Sequence, residues 1–93
     1  MPTVKTWETG GNQAIGSGAS VQLTSSSVDC RKGMLVKAAG ANTAKIYVGE
    51  SGVTTTTGFE LAATEQVVLP VLTASEVYSI AESGTQSASF VVI

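Results

Sequence analysis

Histidine is absent from the 93 residues. The commonest general base is therefore missing, and one chain cannot assemble a Ser-His-Asp or Cys-His relay. A metal site loses its usual nitrogen ligand, and the single Cys30 cannot build a zinc cage. Nor can it close an intrachain disulfide, so it is read as a small buried side chain. Asp29-Cys30-Arg31 does set a thiol beside a cation, an arrangement that lowers thiol pKa values, but no base accompanies it. The carboxylates are Asp29, Glu8, Glu50, Glu60, Glu65, Glu76 and Glu82. Two of them could in principle hydrolyse a glycoside, yet they fall in turns and on polar faces and read as solvated. Gly16-Ser17-Gly18 lacks the spacing of a phosphate loop and no helix follows it, so it reads as a flexible linker. The expectation is a protein that is not an enzyme, with no catalytic residue, cofactor or metal.

The aromatic residues are Trp7, Tyr47, Phe59, Tyr78 and Phe90. Phe59, Tyr78 and Phe90 alternate with aliphatic neighbours and are assigned to the core. Tyr47 lies opposite Ile46 in its strand and is assigned to the surface. Trp7 stands alone in a polar stretch, either tucked back on its own domain or docked on a neighbour. Trp7 and Tyr47 are the candidate partner contacts.

Composition narrows the class further. Charged residues are only 13% of the chain, hydrophobic residues are 43%, and the net charge is −2. The basic residues are scattered, which argues against nucleic acid as a partner. No stretch approaches the ~20 apolar residues of a membrane span. The opening residues, MPTVKTWETGG, carry no apolar core and do not read as a signal peptide. The length fits one domain. Area scaling gives roughly 63% burial for a chain of this size, a thin margin that self-association would widen.

The elements that would hold these residues are strands. Residues 33–71 contain four runs of about five residues, at 34–38, 44–48, 59–62 and 66–71, each bounded by Gly, Asn, Ser or Thr. Met34, Val36 and Ala38 share one face; so do Ile46 and Val48, and Val67, Leu69 and Val71. Residues 39–43 form a loop, because Gly40 and Asn42 both disfavour helix. The stretch from Phe59 to Gln66 reads as a strand at 59–62 with a turn at Ala63-Thr64 into the next, in preference to a helical turn. Pro70 cannot donate to a ladder and belongs at an edge or bulge. The run Thr54 to Thr57 favours extended backbone through its β-branching. Earlier, 20–24 is a strand with Val21 and Leu23 on one face. Later, 77–81 is a strand that sets Tyr78 and Ile80 together. Ala88, Phe90 and Val92 form one face of a last strand whose end is tied into a sheet. Residues 1–19 are too rich in glycine for a firm element and read as a loosely attached N-terminal arm. Residues 20–93 then form an all-β domain, a small jelly-roll-like β-sandwich of about 7–9 short antiparallel strands.

The runs KGMLVKAAGANTAKIYVGESGVTTTTGFEL, EQVVLPV and VYSIAESGTQSASFVVI, covering residues 33–93, resemble a small structural protein of tailed bacteriophages. The likeness lies in the Leu-Val-Lys strand, the Ile-Tyr-Val-Gly strand, the Gly-Val-Thr loop, and a Leu-Pro-Val strand ahead of a Tyr-containing one. Ala63-Thr64 departs from it where a glycine turn is more usual. The resemblance implies a capsid decoration (cement) protein, a homotrimer on the outside of the shell. Its partner would be the major capsid protein or another virion protein. It would be made in the host cytoplasm and located in the virion. A carbohydrate- or receptor-binding module of a tail or head fibre is the alternative.

Overall fold

The computed structural model describes residues 9–25, 28–30 and 32–93. Eight strands are named: β1 Thr9–Ile15, β2 Val21–Gln22, β3 Met34–Ala38, β4 Ile46–Gly49, β5 Phe59–Leu61, β6 Gln66–Leu69, β7 Tyr78–Ala81 and β8 Gln86–Val92. A single 3₁₀ turn at Ala74–Glu76 precedes β7. The strands form two four-stranded sheets, sheet A in the order β1-β8-β3-β6 and sheet B in the order β2-β7-β4-β5. Every pairing is antiparallel.

β1 pairs with β8, β2 with β7, β3 with β6, and β4 with β5. The chain is thus one long hairpin with its tip between β4 and β5. That hairpin is rolled until β3 meets β8 and β4 meets β7. Only the β4–β5 connection stays within one sheet; every other step crosses between sheets. This is the jelly-roll topology.

The interior follows from strand alternation. Met34, Val36 and Ala38 from β3 and Ala88, Phe90 and Val92 from β8 meet Ile46, Val48 and Leu61 from sheet B, all buried. Val67 and Leu69 sit on the edge strand β6 and are partly buried against this cluster. On β7 the inward series is Val77, Ser79 and Ala81. Ile80 therefore belongs to the opposite face; it is buried, but outside the main cluster. Val53 shares that status: it packs where Gly49 and Gly58 have no side chains, beside Tyr47 Cβ, under the loop from 49 to 58.

Several expectations are corrected. The loose attachment expected of residues 1–19 does not apply to 9–15. These form β1 in register with β8, and Ile15 is fully buried. The signal was hidden by a one-residue bulge, since the register moves three residues from Gly10 to Gln13 while β8 moves two, from Phe90 to Ala88. A bulge shifts the alternation by one and erases the period. Residues 1–8, Trp7 among them, lie outside the described residues. The strand at 20–24 shortens to Val21–Gln22, with Leu23 buried and Val21 exposed. Phe59 is 56% exposed: it stands at the start of the edge strand β5, and of the two residues on that face only Leu61, at 2%, is covered. Thr54 to Thr57 turn instead of extending: Gly58 N–H donates to Thr54 O at 2.9 Å and Thr54 N–H to Thr57 Oγ1 at 3.0 Å. Threonine hydroxyls capture nearby backbone groups, and here that outweighs β-branching.

Candidate interaction surface

The carboxylates are spread over the surface, with Glu60 and Glu65 bordering one shallow depression and Glu50 and Glu76 another. Asp29, Glu50, Glu60, Glu65, Glu76 and Glu82 are all exposed, and among the described residues no cluster of three or more His, Cys, Asp or Glu could hold a metal. Cys30 is buried beside the bridge between Asp29 and Thr73. Burial first, then the charges of Glu76 and Asp29, raise its thiol pKa above 9.0. That is opposite to the lowered value a cation at 31 would produce, and Arg31 lies outside the described residues. Glu76 has a structural task, accepting from the N–H groups of Leu72 and Thr73 at 3.1 and 2.8 Å. Gly16, between β1 and β2, accepts from Ala81 N–H at 3.0 Å, and no helix follows it.

What remains is the outward face of each sheet. On sheet B, Tyr47 pairs with Ile80 on one side and Glu60 on the other. Tyr78 is one step along β7, opposite Gly49 and Gln22. Lys45 Nζ meets Glu60 Oε1 at 2.6 Å, both half open to solvent; such a pair is worth little to stability. Burial, followed by the charges of Glu60 and Glu82, raises the phenol pKa of Tyr47. Tyr47 is half-buried rather than fully on the surface as expected, with Ile80 beside it on the neighbouring strand.

On sheet A, Val91, Leu35 and Val68 stand in register across β8, β3 and β6. These residues point outward, since their neighbours Phe90, Val92, Met34 and Val36 are the inward ones. Val68 is 49% exposed. Alongside runs a second row, Ser89, Lys37 and Gln66, also in register. Gly10, Leu35, Lys37, Gln66, Ser89, Phe90 and Val91 border a shallow depression of about 290 Å³. Lys37 is the one charge in its lining. The expectation that singled out Trp7 and Tyr47 missed this face. Its signal was present in consecutive apolar pairs, Val67-Val68 and Phe90-Val91-Val92, which put an apolar residue on both sides of a strand.

The candidate site is therefore the pair of outward sheet faces of a small jelly roll. No family model, characterised protein or solved structure matches this chain.

Proposed function

We propose that the protein is a non-enzymatic virion structural protein, a capsid decoration subunit that binds the outside of a phage shell and reinforces it. The observation that carries this reading is the outward face of sheet A. The row Val91, Leu35 and Val68 is apolar and runs beside a shallow depression whose lining holds one charge, Lys37. An exposed apolar row with only a shallow, open depression beside it suits a large protein partner better than a small ligand, which needs a site that encloses it. Two further points support it. The jelly roll recurs in viral capsid domains, an analogy of fold only, and the residues 33–93 resemble phage structural proteins. The partner would be the major capsid protein or another virion protein. A subunit that binds only the assembled lattice stabilises it by mass action, about 2.7 kcal/mol per site at a free concentration of 100 Kd.

The test is co-sedimentation with purified particles of the phage whose genome encodes the chain. Leu35→Ser and Val91→Ser are expected to weaken particle binding at least tenfold, with Tyr47→Ala neutral. The second reading, a carbohydrate- or receptor-binding module, is favoured by Tyr47 and Tyr78 sharing the outward face of sheet B. Loss of glycan or receptor binding on Tyr47→Ala, with particle binding absent throughout, would select it instead.

A further inference from the structure

We infer that β6 is a self-pairing edge, through which two copies of this chain join their A sheets about a two-fold axis at Val67. Among the described residues no strand lies on the outer side of β6, which ends the order β1-β8-β3-β6. Unprotected edges are normally blunted by charge, extreme shortness or a covering element. β6 carries no charge at all: it reads Gln66, Val67, Val68, Leu69. The other described edges differ. β5 carries Glu60, tied to Lys45; β1 is broken by its bulge; β2 has two residues. Pro70, just after β6, is the single blunting device, and it lies beyond the paired residues.

The backbone of β6 presents a self-complementary pattern. Ala38 N–H donates to Glu65 O at 2.9 Å, and Lys37 lies opposite Gln66. By the alternation of an antiparallel ladder, Val67 and Leu69 then direct their N–H and C=O groups to β3. Gln66 and Val68 direct theirs to the open side. Placing Val67 opposite Val67 of a second, antiparallel copy sets Gln66 against Val68 twice. Both pairs are then hydrogen-bonded pairs, so four bonds form and every outward donor and acceptor of the two strands is used. Moving the axis to Val68 would set Gln66 against Pro70, which has no N–H, and leave carbonyls unmatched. Moving it to Gln66 would set Val68 against Thr64, whose N–H is already given to Ala38 O, so the backbone favours the register centred on Val67.

The side chains agree with it. On the inward side Val67 meets Val67, a β-branched cross-strand pair. On the outward side the apolar row Val91, Leu35 and Val68 runs up to Gln66 of the second copy. No ionised side chain sits in either paired strand, so no like charges meet across the axis. The occupant is a second copy because an antiparallel strand of this pattern is its own best complement, and two-fold contacts are the commonest closed symmetry. The result would be one continuous eight-stranded sheet. This pairing is separate from the virion reading, since it requires no particle.

Light scattering coupled to size exclusion on the purified chain tests it. The expected mass is twice the 9.4 kDa chain. Val68→Pro removes an N–H that faces the open side, and Val68→Lys adds a charge beside the axis; each is expected to raise the dimer dissociation constant at least tenfold. In a Cys30→Ser background, Val67→Cys is expected to form a disulfide-linked dimer on mild oxidation, because directly opposed positions bring Cβ atoms within about 5 Å. Ser89→Cys, two strands away on the same sheet, is expected not to link. A monomer mass at about 100 µM overturns the proposal. So does a dimer or trimer whose mass neither Val68 variant alters, or one in which Val67→Cys links no better than Ser89→Cys.

Discussion

Gly10 lies directly opposite Phe90 in the β1–β8 pairing, and the ring occupies the space a side chain at 10 would need. A Cβ built on Gly10 would come within 2.6 Å of Phe90 Cζ and 2.7 Å of Cδ1. Phe90 is only 6% exposed, so its ring has little room to retreat. The glycine that made the N-terminal stretch read as loose is the residue that lets β1 close over the largest side chain of β8.

Gly10→Ala is therefore expected to destabilise the fold by about 1–3 kcal/mol, the usual range for overpacking. Phe90→Leu in the same chain should recover part of the loss. A double-mutant cycle by urea denaturation measures it, with a coupling energy near zero as the contrary result.

Thr64 takes φ +72°, a left-handed conformation rare for a β-branched residue. It lies in the step from β5 in one sheet to β6 in the other, not in a hairpin. Thr64 N–H donates to Ala38 O at 3.1 Å and Glu65 N–H to Ala62 O at 3.0 Å. Those bonds hold the strained residue in place. Thr64→Gly removes roughly 1–2 kcal/mol of backbone strain against roughly 0.4–1 kcal/mol of added unfolded-state entropy. A small net gain in melting temperature is expected, and Thr64→Val should show none.

Ser79 is fully buried on the central strand β7, between Val21 and Val48 in register. Its hydroxyl has no hydrogen-bond partner among the described residues. Burying such a group unsatisfied costs about 1–3 kcal/mol. Ser79→Ala is expected to raise stability by about 1 kcal/mol in chemical denaturation; a loss would mean the hydroxyl is satisfied.

Cys30, Tyr47 and Lys45 all have pKa values raised in the folded chain. For Cys30 the chief cause is burial, for Tyr47 likewise, and for Lys45 the hydrogen bond to Glu60. In each case the folded state holds its proton more tightly than the unfolded one. The associated stability is full below the unfolded pKa and is lost as pH rises through the folded one. Stability should thus fall in the alkaline range, beginning above about pH 9. In Cys30→Ala the decline should begin about one unit later. In the native state the thiol should react with a disulfide reagent far more slowly than in denaturant, since the thiolate is the nucleophile.

Much of the fold was legible in the residues. Alternation placed Met34, Val36, Ile46, Val48, Phe90 and Val92 on shared faces that prove to be interior, because a strand with one buried face must alternate. Pro70 was assigned to an edge or bulge by its missing N–H, and it directly follows the edge strand β6. Loop 39–43 was marked by Gly40 and Asn42. Its lock was not: Asn42 donates to Ser87 O at 2.9 Å and accepts from Ser87 N–H at 2.8 Å, 45 residues away.

Only the tertiary structure decided the rest. The bulge in β1 shifted its alternation, so Ile15 looked isolated although it is fully buried. Which of the two alternating series through 77–81 faces inward, Val77–Ser79–Ala81 or the more apolar Tyr78–Ile80, depends on the strands beside it. The same holds for the outward row Val91, Leu35 and Val68, three residues distant in sequence that share a face through register alone. Alternation is a property of one strand and can be read from one strand. Register, sheet order and the identity of an edge belong to pairs of strands, and no single stretch of sequence contains them.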